Sequence, residues 1–97
     1  MMSCQHAMNL GRSAGHNAAA DLLGEAMIDY AQPKYVTCLD LGPWGAVYTE
    51  GWDRQVVLSG AEAKALKTRI NTEWIYPPTG ERAEILASAD PLRIVVA

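Results

Sequence analysis

A run of small side chains between Ser3 and Gly24 constrains this sequence more than any other feature. Ser3 is suited to cap a helix start, and Gly24, just past Leu22 and Leu23, is suited to end it in the left-handed conformation. Between them Ala7, Gly11, Ala14 or Gly15, Ala18 and Leu22 recur at helical spacing. Each glycine inside a helix costs about 1 kcal/mol against alanine. Such a face is useful where something bulky or flat approaches closely: another helix, a sheet or a ligand.

At 97 residues the chain supports one hydrophobic core, not a nucleotide-binding domain plus a substrate domain. Hydrophobic residues make up 49% and charged residues 20%, which points to a globular fold rather than disorder. The net charge of −3, with no cluster of lysine or arginine, argues against a nucleic-acid partner. Cys4 and Cys38 are too far apart for a C-x-x-C motif and too few for a disulfide framework, so reduced thiols and a cytoplasmic protein are expected. No apolar run is long enough for a transmembrane segment, and the start lacks the pattern of a signal peptide.

After the first helix, Glu25 to Pro33 reads as a connector. Tyr35 to Leu41 reads as a strand, with Tyr35, Thr37, Leu39 and Leu41 on one face and Val36, Cys38 and Asp40 on the other. Gly42-Pro43-Trp44-Gly45 has turn chemistry, Ala46 to Glu50 forms a second strand, and Gly51 to Arg54 turns into a third, Gln55 to Leu58. Ser59 and Glu62 form a capping box opening a helix whose stripe is Ala63, Leu66, Ile70 and Trp74; Tyr76-Pro77-Pro78 ends it. Lys64, Lys67 and Arg69 read as its solvated face. A third helix, Glu81 to Ala89, is expected to bury Ile85, Leu86 and Ala89, and the tail Leu92 to Ala97 either adds an edge strand or frays. The fold class is α+β: an N-terminal helix, a three-stranded antiparallel meander, then two helices packing on the sheet.

The motifs in order resemble the C-terminal part of FAD-dependent pyridine nucleotide–disulfide oxidoreductases, particularly type II NADH dehydrogenase-like enzymes. Cys4-Gln5-His6-Ala7, then Gly11, Ala14 and Asn17, is similar to the family's A-Q-x-A helix start, with Cys4 replacing the first alanine. Leu22, Leu23, Gly24 and Tyr30 match the helix exit, and D-L-G-x-x-G-A-V from Asp40 to Val47 matches the first strands of the C-terminal domain. The resemblance implies that residues 1–33 are the last helix of an FAD-binding domain with its connector, and 34–97 a small α+β C-terminal domain. It also implies a reaction: hydride passes from NAD(P)H to FAD, then to quinone or another acceptor. No G-x-G-x-x-G is present for either dinucleotide, so the fold is an incomplete reductase, and alone the chain is expected to bind neither cofactor. A truncated frame, a gene remnant and a separately supplied segment all accord with this.

By the same resemblance, Cys4, Gln5, His6 and Ala7 lie at the flavin or quinone end of the helix in an intact enzyme. The positive end of a helix dipole favours the negative charge a flavin gains on reduction. The bland alternatives are an exposed polar first turn for Gln5 and His6, and an ordinary small buried residue for Cys4. The latter is the expectation for Cys4. No metal site is expected from Cys4, His6, His16 and Cys38, because the histidines do not share an i, i+4 face. Asp40 is expected to accept turn N–H groups near Gly42, and Trp44 and Trp52 to pack in the core rather than at a domain or subunit contact. The expected partners are the rest of the flavoenzyme or another copy of the chain, and the intact enzyme is expected to lie in the cytoplasm, peripheral to the inner face of the membrane. The alternative function is a non-enzymatic dimerisation or interaction module using the small-residue face of the first helix.

Overall fold

The computed structural model describes residues 3–96. Met1, Met2 and Ala97, at the ends of the expected domains and tail, lie outside the described residues. The elements follow the order α1 (Cys4–Leu23), β1 (Val36–Asp40), a 3₁₀ turn (Gly42–Trp44), β2 (Ala46–Glu50), β3 (Gln55–Ser59), α2 (Gly60–Arg69), a π-helical turn (Ile70–Trp74) and α3 (Arg82–Ser88). This is the expected α+β arrangement. The described chain forms two compact units: residues through Ala31 with Pro77–Val95, and Gln32–Tyr76 with Val96.

The second unit is an antiparallel sheet in the order β1-β2-β3, covered on one face by α2. Val36, Cys38 and Asp40 pair with Glu50, Tyr48 and Ala46, so the alternation read from the sequence places Val36, Ala46 and Tyr48 together under Ala63. Cys38, Leu58, Leu66 and Val96 pack around these four. Full burial of a side chain such as Val36 contributes about 1.5–3 kcal/mol. The Tyr48 hydroxyl donates to Glu50 Oε1 at 2.8 Å, so its polar end is satisfied. A bulge at Tyr48/Thr49 lets Val56 pair with Thr49 while Leu58 pairs with Tyr48, leaving Val57 without an opposite residue.

Three details of this unit depart from expectation. Ser59 begins α2 with extended backbone, yet its side chain makes no capping bond, because Gly60 enters the helix at φ +64°. The α-helix ends at Arg69, and the Ile75 N–H bonds the Ile70 carbonyl five residues back, which turns Trp74 beneath the Arg69 guanidinium at 5.0 Å. Trp44 and Trp52 are not core: they are 85% and 68% exposed, and both sit in the connections between strands. Trp52 instead stacks on buried Tyr35, with ring centroids 4.2 Å apart.

In the first unit, α1 ends as its sequence requires: Gly24 takes φ +70°, and the Gly24 and Glu25 N–H groups bond the Asp21 and Ala20 carbonyls. The third helix does not bury Ile85, Leu86 and Ala89; all three are exposed. At seven residues it offers little apolar area, and it belongs to the unit of α1, where Arg12 Nε donates to the Ser88 carbonyl at 2.6 Å. The tail forms no strand among the described residues. The Val95 N–H donates to Asn9 Oδ1 at 3.3 Å, and Arg12 Nη1 donates to the Arg93 carbonyl at 3.2 Å.

Candidate functional site at the start of the first helix

The α1 helix has two unlike faces. Ala7, Gly11, Ala14, Gly15 and Ala18 are exposed, and a Cβ added at Gly11 or Gly15 would meet nothing within 4 Å. The buried positions are Gln5, His6, Asn9, Ser13 and Ala20, so the covered side is the polar one. The small stripe read from the sequence is present and open.

Ser3 occupies the N-cap position with extended backbone, but its side chain caps no helix N–H; the Ser3 hydroxyl lies 2.8 Å from His6 Nδ1. The first helical bond runs from the Ala7 N–H to the Ser3 carbonyl. No acidic side chain stands in the first turn, so the positive end of the helix carries no compensating charge from within it. That end fits an electron-rich group placed against it.

The four candidate residues separate onto the two faces. Cys4 and Ala7 are exposed, on the edge that continues into the small stripe. Cys4 is therefore not the small buried residue expected, since it extends the open face rather than the polar one. Gln5 is 6% exposed and His6 fully buried, so neither is an exposed polar residue of a first turn. Sequence reasoning missed this polar burial; the available signal was the lack of large apolar side chains at Gln5, Asn9 and Ser13, which the small stripe overshadowed.

Two further clasps went unread. Asn17 Nδ2 donates to the Ile28 carbonyl at 2.8 Å, and Oδ1 accepts the Ile28 N–H at 2.9 Å, pinning the connector to α1. Lys64 does not simply face solvent: Nζ lies 2.7 Å from Asp40 Oδ2. Asp40 also accepts the Gly42 N–H at 2.7 Å, the turn role expected of it. The Lys64 bond, then the Gly42 N–H, hold the Asp40 carboxyl below its ordinary pKa. Burial, opposed by Lys67 and reinforced by Asp40, pushes the Cys38 thiol up. Among the described residues no group of three or more His, Cys, Asp or Glu side chains is placed to hold a metal, and no helix is long and apolar enough to cross a membrane.

NADH dehydrogenase-like proteins from two strains of Mycobacterium tuberculosis are each 54% identical to this chain over 92 residues, 94% of its length. The chain is homologous to part of an NADH dehydrogenase-like protein. It spans 23% of the length of those relatives. No family model matches the chain, and no solved structure matches it significantly.

Proposed function

We propose that this chain is the flavin-facing helix and C-terminal domain of an FAD-dependent NAD(P)H oxidoreductase, inactive without the dinucleotide-binding parts. The observation that carries the reading is the identity of 54% across 94% of the chain to NADH dehydrogenase-like proteins about four times its length. When bound, the flavin supplies hydride acceptance from NAD(P)H and onward delivery to quinone or another acceptor. The chain's own contribution is orientation and charge. Cys4 and Ala7 would border the cofactor at the positive helix end, with Gln5 and His6 behind them. A helix terminus supplies about 0.3–1 kcal/mol to a nearby negative charge at exposed sites and up to about 2 kcal/mol when partly buried. That favours the reduced flavin without performing a chemical step.

The open stripe from Ala7 to Ala18 supports the same reading, as a surface fitted to neighbours that this chain does not contain. The proposed boundary, between residues 33 and 34, separates the helix and connector from the sheet-bearing domain. The intact enzyme would work in the cytoplasm, at the inner face of the membrane. A visible spectrum of the purified chain, alone and after incubation with FAD, tests the proposal. No retained flavin band is expected; stoichiometric flavin on this chain would overturn it.

A second reading is a non-enzymatic module that pairs through α1, favoured by the exposure of Leu22 (87%) and Leu23 (76%) at the end of the small stripe. Sedimentation over a range of concentrations separates the two. Self-association through this face supports the module, and a monomer throughout counts against it.

A further inference from the structure

We propose that Asp90–Val95 is a releasable strap across the polar face of α1, latched by Arg12 and Asn9, whose opening uncovers Gln5 and His6. Arg12 makes three bonds at the latch: to the Ser88 carbonyl, to the Arg93 carbonyl and, at 3.0 Å, to Asn9 Oδ1. The same Asn9 oxygen accepts the Val95 N–H. Asn9 stands one helical turn beyond Gln5 and His6, at i+4 and i+3, and shares their buried face, so the strap is latched on the face that holds both.

The latch is polar and incompletely satisfied. Leu92 is 80% exposed and Ile94 42%, so these two contribute little to holding the strap, and only Val95 of its large apolar side chains is half-buried. Asn9 is 2% exposed, yet its Nδ2 has no hydrogen-bond partner. Exchanging the amide's oxygen and nitrogen would not help, because both groups facing Oδ1 are donors. Asn17, with both ends of its amide bonded to Ile28, shows what a complete clasp looks like in this molecule. A buried donor without an acceptor favours the state in which water reaches it. A segment with few apolar contacts belongs to the part of a structure that opens first. The strap is thus closed by Arg12 and weakened by Asn9.

This inference rests on the proposed function only in naming Gln5 and His6 as functional; the strap itself is tested without a cofactor. Diethyl pyrocarbonate labelling of the full chain, read by mass spectrometry, compares buried His6 with exposed His16. In the unmodified chain His6 is expected to label at least about tenfold more slowly. Arg12→Ala should bring His6 close to the rate of His16, and Asn9→Asp, which keeps the acceptor and removes the unpartnered donor, should slow it further. Wild-type protection of His6 unchanged by Arg12→Ala, with helicity intact, overturns the strap. If Arg12→Ala fails to fold, hydrogen exchange of the unmodified chain decides: the Val95 amide should exchange ahead of the α1 amides, and exchange in step with them overturns the proposal.

Discussion

The backbones of Gly45 and Gly60 cross so closely that a Cβ on Gly45 would lie 2.5 Å from the Gly60 carbonyl oxygen. Gly45 closes the turn between β1 and β2, its carbonyl accepting the Leu41 N–H at 2.8 Å, while Gly60 starts α2. The contact therefore fixes where the covering helix leaves the sheet. Gly45 also sits at φ +107°, outside the range an alanine adopts comfortably. Gly45→Ala is expected to cost more than about 2 kcal/mol. Gly42→Ala, at φ +64° with nothing within 4 Å, should cost only about 1–2 kcal/mol. Urea unfolding of the two variants tests the difference.

The Asn17 clasp gives a second expectation. Asn17→Ala strands the Ile28 N–H and carbonyl and should destabilise the first unit by about 1–3 kcal/mol. Asn17→Asp keeps the acceptor for the Ile28 N–H but loses the donor, so it should fall between wild type and Asn17→Ala near pH 7. Denaturant melts followed by circular dichroism check the order.

The Asp40–Lys64 pair predicts an acid dependence. The folded-state pKa of Asp40 is depressed, so its stabilisation is present above the unfolded value, about 4. It is lost as pH falls through the lower folded value. Asp40→Asn should therefore be less stable than wild type at pH 7, with the difference shrinking below about pH 4. The effect should be small, as for other exposed ion pairs, and should weaken in salt. Thermal melts at several pH values measure it.

The two thiols should differ in reactivity. Cys4 is exposed, whereas Cys38 is half-buried against the core with its pKa raised. Iodoacetamide near pH 8 should alkylate Cys4 first, with Cys38 following only at higher pH or on unfolding. Equal rates in the folded protein would contradict the placement of Cys38.

The parts legible in the sequence were those governed by short-range periodicity. Val36, Cys38 and Asp40 alternate with Thr37 and Leu39, and the structure keeps that alternation because α2 covers only one face. Gly24 was legible as a helix end because only a left-handed residue completes that cap. Long-range polar contacts were not legible: Arg12 reaches Ser88 and Arg93, and Lys64 reaches Asp40, and no local pattern marks such a pair. Trp44 and Trp52 were expected in the core, but their places in turns, which were legible, leave them exposed. At the candidate site, the small stripe was readable from spacing. The division of Cys4 and Ala7 from Gln5 and His6 depended on which face of α1 is covered, and no local pattern marks that.

The most direct test of the flavoenzyme assignment is a replacement experiment. The matching 92-residue stretch of the mycobacterial NADH dehydrogenase-like protein would be exchanged for the corresponding stretch of this chain, and bound flavin measured in the purified chimera and its parent. The expected result is flavin in both, with the chimera oxidising NADH. A folded chimera or parent without flavin would contradict the assignment.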